Sequence, residues 1–223
     1  MSAVRFSPSS RARLTSHDLG RFAGSTLFDR IGRALCGAGC LPRKEFYESW
    51  EVARRARRLF RGGRVVDLGG GHGLLAQAML LLDESSLSAV IVDPRVPASA
   101  GVVHDALVAA WPRLKGRVSF LAQDMERLAL DSTDVVVSAH GCGALTDRVI
   151  AAAIRVRARI AILPCCHDVE TCATGDLTGW MDPALAIDAT RVMRLSGAGY
   201  QVRTQTIPAT ITPKNRLILA GPL

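Results

Sequence analysis

The chain has 223 residues, with 28 Lys and Arg against 20 Asp and Glu, six cysteines and a formal net charge of +8 at pH 7. That length suffices for one substantial core and requires no second one. Charges interrupt the apolar runs well short of a membrane span, and the cysteines lack the regular spacing of a disulfide framework. A reducing compartment follows, the cytoplasm by default.

The charge is unevenly spread. Residues 1–64 hold 14 Lys and Arg against 5 acids, and the remainder holds 14 against 15. At the start, Arg5, Arg11 and Arg13 precede the first acid, Asp18. That composition is similar to an organellar transit peptide, but a loosely docked basic arm is the simpler expectation. Residues 1–40 are therefore taken as a basic N-terminal extension and 41–223 as the working domain.

Over residues 44–60, Phe46, Trp50, Ala53, Ala56 and Phe60 recur at three- and four-residue steps, which predicts an amphipathic helix ended by Gly62 and Gly63. Arg54, Arg55, Arg57 and Arg58 are expected to point largely outward. Such a face suits a polyanion, with RNA the natural candidate, or it is simply a solvated face.

Next comes Arg64-Val65-Val66-Asp67-Leu68-Gly69-Gly70-Gly71-His72-Gly73, a buried-strand pattern breaking into glycines before a helix-forming stretch. Gly69, Gly71 and Gly73 would form a tight turn whose amides and following helix N-terminus face a ligand closely. Asp67 would repel a pyrophosphate but receive a ligand's ammonium group, which favours S-adenosylmethionine (SAM) over NAD. His72 is expected to shape the turn. The second strand ends at Asp93, an acid able to accept both ribose hydroxyls. A third ends at Asp124, which could accept from the adenine amino group with Met125 beside the ring.

The fourth strand, over 133–139, contributes Ser138 to the cofactor contacts and runs into His140-Gly141-Cys142-Gly143. The fifth, 158–163, runs into Pro164-Cys165-Cys166-His167. Alternating strands and helices predict a parallel sheet, and the last two strands lie too close for a crossover, so they should pair antiparallel. The predicted fold is α/β and Rossmann-like, with a seven-stranded, mostly parallel sheet as in class I methyltransferases.

Both Cys and His segments follow parallel strands, so they belong at the carboxyl edge, where ligands bind. His140 or His167 could act as base or orienting group for an acceptor hydroxyl, and Cys165 and Cys166 join them as candidate catalytic residues. A metal site from His140, Cys142, Cys165 or Cys166, His167 and Cys172 is a second reading, and tight packing of buried cysteines a third. Adjacent cysteine side chains are expected to diverge, so no metal is assigned.

Five segments carry a resemblance: Leu41-Pro42-Arg43-Lys44-Glu45-Phe46, the glycine turn through Leu75, Ala139-His140-Gly141-Cys142-Gly143-Ala144-Leu145-Thr146-Asp147, Pro164-Cys165-Cys166-His167 and Thr212-Pro213-Lys214-Asn215. Together they resemble the methyltransferase domain of eukaryotic acceptor-stem tRNA ribose 2′-O-methyltransferases and related uncharacterised proteins. The resemblance runs from about residue 41 to the end. It implies SAM as cofactor and an RNA ribose hydroxyl as acceptor. The zinc-finger modules of those tRNA enzymes are not matched, since only Cys36 and Cys40 stand in that region. A small-molecule O- or S-methyltransferase is the alternative, and a non-catalytic RNA- or protein-binding module of the same fold a further one.

Overall fold

A computed structural model describes residues 6–139 and 141–223. Arg5 and His140 lie outside the described residues. The strands are β1 (Val65–Leu68), β2 (Ala89–Val92), β3 (Val118–Leu121), β4 (Val135–Ser138), β5 (Arg159–Ile162), β6 (Tyr200–Thr206) and β7 (Arg216–Pro222), and they form one sheet in the order β3-β2-β1-β4-β5-β7-β6. β1 to β5 pair in parallel, whereas β7 runs antiparallel to both β5 and β6. The predicted fold class is the observed one.

Among the described residues six α-helices connect or precede the strands: α1 (Leu27–Ala38), α2 (Arg43–Leu59), α3 (Leu74–Leu82), α4 (Ser99–Ala110), α5 (Ala144–Val156) and α6 (Pro183–Gly197). Their placement follows from strand alternation, which sends successive side chains to opposite faces. Val65, Ile91, Val135, Val137 and Ala161 pack with α1 to α4. Val66, Leu68, Val92, Val136 and Ile160 pack with α5 and α6. β1 and β4 are consequently buried along their whole length, as expected of inner parallel strands covered on both faces. Full burial of each such side chain contributes about 1.5–3 kcal/mol.

Beyond the basic start, the described residues pack into the main core. Leu14, Phe22, Ile31 and Leu35 are completely or almost completely buried in the same core as α2 and α3. Arg13 forms a backbone bridge with Pro42, and the Leu14 amide donates to Leu41 O over 2.8 Å. Among the described residues no helix is long and apolar enough to cross a membrane.

Candidate functional site

β1 and β4 are adjacent while their following connections leave in opposite directions, to β2 and to β5. In open α/β sheets this switch point opens a crevice at the carboxyl edge. The glycine turn lies there. Gly69, Gly71 and Gly73 all have positive φ, of 69°, 50° and 71°. A Cβ on Gly71 would meet nothing within 4 Å, so its backbone borders open space, whereas one on Gly73 would come within 2.7 Å of Phe120. Gly71 thus presents backbone to a ligand, and Gly73 lets the turn pack on the sheet.

Gly70, which the alternating pattern does not single out, is equally constrained. A Cβ there would lie 2.6 Å from Asp67 Cγ. Asp67 is 1% exposed, and among the described residues neither carboxylate oxygen receives a hydrogen bond of ordinary geometry. Burial pushes its carboxyl up to about 7, against a partial pull from the Ala76 amide and with added repulsion from Asp93. A buried acid without a partner costs several kcal/mol when ionised unless a cation reaches it.

Asp93 is half-buried just past β2. Its Oδ2 accepts from the Gly71 amide (3.1 Å) and its Oδ1 from the Arg95 amide (2.9 Å). Each ionised oxygen retains a further lone pair for a ligand hydroxyl. Ser138 Oγ, at the end of β4, is buried and has no hydrogen-bond partner among the described residues. Met125 packs in the core beside Leu68 and Val92, while Asp124 beside it is exposed. His72 fixes the turn, with Nδ1 accepting from the Leu74 amide (3.1 Å) and Nε2 lying 2.9 Å from Glu45 Oε2.

The other sequence segments meet at this edge. Lys44 pairs with buried Glu48 (2.6 Å), which interacts with Thr212. Lys214 Nζ lies 4.0 Å from Cys166 Sγ. Cys142 Sγ is 3.3 Å from Cys165 Sγ, and Cys165 Sγ is 3.8 Å from Cys166 Sγ. The expectation that the adjacent cysteines diverge is therefore corrected. It holds for an extended strand, but the chain has left β5 at Leu163 and Pro164, and the loop turns both thiols the same way. Hydrogen bonds from Cys142, then Cys165, and the charges of Lys214 and Lys44 hold the Cys166 thiol below its ordinary value despite burial. Burial pushes Cys165 up.

His167 is brought to the same loop but faces inward, its side chain 6% exposed. Its Nε2 lies 2.8 Å from Asp188 Oδ1, and Asp188 also accepts from Arg216 Nε (2.6 Å) and, over 3.3 Å, from Arg191. Burial raises the Asp188 carboxyl, but the hydrogen bonds from His167 and Arg216 outweigh it and hold the group below the usual range. The ionised acid only accepts, so Nε2 carries the proton.

The model of a family described as a methyltransferase domain matches residues 51–171, more than half of the chain. The chain belongs to this methyltransferase family. No curated protein sequence matches it. Among solved structures, an O-methyltransferase family protein from Burkholderia thailandensis is 19% identical with a TM-score of 0.54, covering 92% of this chain and 62% of its own. The Bacillus subtilis m1A22 tRNA methyltransferase TrmK is 15% identical with a TM-score of 0.50, over 79% of this chain and 65% of its own. The N-methyltransferase NodS from Bradyrhizobium japonicum is 12% identical with a TM-score of 0.50, over 81% and 97%. The chain thus spans about three fifths of the length of the first of these, and the likeness shows a shared fold.

The expected arginine face is only partly present. Arg57 is 4% exposed and donates to Met79 O (3.1 Å), Phe60 O (3.2 Å) and Ser86 Oγ (2.8 Å). Arg54 and Arg55 both pair with Glu51, and of the four only Arg58 is exposed. These residues sit on the C-terminal half of α2. Arg57 lies about 18 Å along the helix from Glu45, which marks the glycine turn. The cations on the Glu45 side of the turn are instead Arg11 and Lys44, with Lys214 beside Cys166. Arg11, Pro42, Lys44 and Glu45 line a cavity of about 330 Å³.

Proposed function

We propose that the chain is a SAM-dependent methyltransferase whose acceptor is an RNA hydroxyl, tRNA-like in character. The observation that carries the cofactor assignment is Asp67, a buried acid that receives no hydrogen bond of ordinary geometry among the described residues, beneath a glycine turn whose middle residue borders open space. That combination fits an amino-acid ammonium over the acid and a nucleoside whose ribose reaches Asp93. Asp124, Met125 and Ser138 complete the set.

When bound, SAM supplies an electrophilic sulfonium methyl. The residues of the chain hold and orient it. Gly71 offers a close backbone approach, Asp93 accepts ribose hydroxyls while anchoring the turn, and Asp67 neutralises the ammonium. The loops after β4 and β5 lie beside this pocket and would place the acceptor. Asp188 fixes the tautomer of His167, which acts as a positioning residue for the Cys165-Cys166-His167 loop.

The RNA reading is supported by the convergence of the five segments that resemble tRNA ribose methyltransferases, and by the cations Arg11, Lys44 and Lys214 at this edge. Two measurements test it. Calorimetry should find SAM bound in preference to NAD, and nucleoside mass spectrometry of RNA from cells with and without the gene should reveal one ribose methylation that depends on it. SAM binding with no RNA change would move the acceptor to a small molecule.

A further inference from the structure

Cys142, Cys165 and Cys166 place their sulfur atoms within 4.8 Å of one another. The arrangement is built by the sheet. β4 and β5 pair with Ser138 opposite Ile162, and an isolated parallel bridge joins Cys142 to Cys166 in the same register four residues on. Two loops that leave the sheet thus come back together, bringing the thiols into one place. A tetrahedral zinc ion with Zn–S bonds of about 2.3 Å separates its sulfurs by about 3.8 Å. The observed separations, from 3.3 Å up to no more than 4.8 Å, bracket that value, so the set can close on such an ion with small side-chain rotations.

We infer that Cys142, Cys165 and Cys166 form a three-thiolate site for a soft divalent cation of the zinc class, beside the methyl-transfer pocket. Thiolate donors select soft or borderline ions and discriminate against magnesium and calcium. Three thiolates around a divalent ion leave one net negative charge, and Lys214 stands 4.0 Å from Cys166 Sγ to offset it. Cys142 is exposed, so the fourth coordination position opens toward solvent, where water or an acceptor heteroatom can take it. The inference does not depend on SAM being the cofactor.

The test uses the full chain, purified in reductant, stripped with a chelator and titrated with cobalt(II), then zinc(II). One equivalent of cobalt should bind with sulfur-to-cobalt charge-transfer absorption, and zinc should displace it. Cys142→Ser, Cys165→Ser and Cys166→Ser should each weaken binding by more than the ~10–100-fold that follows loss of a supporting hydrogen bond. Cys40→Ser should bind like the wild type. Absence of charge-transfer absorption in the wild-type protein would overturn the inference, whatever the fold of the variants. So would its persistence in the triple serine variant, or a Cys142–Cys165 disulfide in the reduced preparation. SAM calorimetry on the same samples separates the two readings: metal binding without SAM binding defeats only the cofactor assignment, and SAM binding without metal defeats only this one.

Discussion

Asp93 Oδ2 accepts a hydrogen bond from the Gly71 amide over 3.1 Å, so the acid after β2 and the middle of the glycine turn form one unit. Removing the carboxylate takes away a ribose acceptor and the tie that holds the turn. Asp93→Ala should therefore weaken SAM binding by about 1.5–3 kcal/mol, roughly 10- to 150-fold in affinity. Asp93→Asn, which keeps one acceptor, should fall between. Calorimetry showing unchanged affinity in Asp93→Ala would remove Asp93 from the cofactor site.

Asp67 makes SAM binding depend on pH. Its carboxyl is pushed up to about 7 by burial, so below that pH it is mostly neutral and must release a proton to receive an ammonium. Affinity should rise by at most about tenfold per pH unit toward 7, then level off. Stability of the cofactor-free protein should move the other way. Between the ordinary carboxylate range and pH 7 the unfolded chain has released this proton while the native chain keeps it, so stability falls as pH rises through that window. Asp67→Asn should abolish both slopes. Denaturant titrations at several pH values check the second, and a slope unchanged in the variant would assign it to another group.

Much of this is legible in sequence, because buried parallel strands are unbroken apolar runs and their ends carry the acids. The short link from β6 to β7 suffices to fix their antiparallel pairing. The outward placement of Arg57 fails although the period holds the answer: it lies four residues after Ala53, on the apolar face, and packs where a backbone carbonyl and Ser86 receive it. Strand register across two irregular loops brings Cys142 to Cys166, and no local pattern encodes that. Gly70 escapes the pattern because what constrains it is the space occupied by Asp67, not its own φ.

Arg57 and Arg58 are neighbours in sequence with opposite roles. Arg57→Ala removes three hydrogen bonds from a buried guanidinium 3.8 Å from Asp83, and should destabilise by about 3 kcal/mol or more. Arg58→Ala, on the exposed face, should stay within about 0.5 kcal/mol of wild type. Urea unfolding decides this, and equal effects would contradict the placement of Arg57.

The position of the positive charge distinguishes the acceptor readings. If RNA is the acceptor, phosphates should meet the cations at the pocket mouth, because Arg58 lies about 20 Å from Glu45 along the helix. Neutralising Arg11 and Lys44 should weaken RNA binding and reduce its log–log salt slope by about 0.7 to 0.9 for each phosphate that is no longer neutralised, while SAM affinity stays unchanged. Arg58→Ala should change neither by more than a small fraction of that. Filter binding of a tRNA over a range of salt concentrations reads both quantities. A slope insensitive to the two pocket-side cations but sensitive to Arg58 would restore the helix face as the RNA-binding surface, and salt-independent or absent binding would favour a small-molecule acceptor.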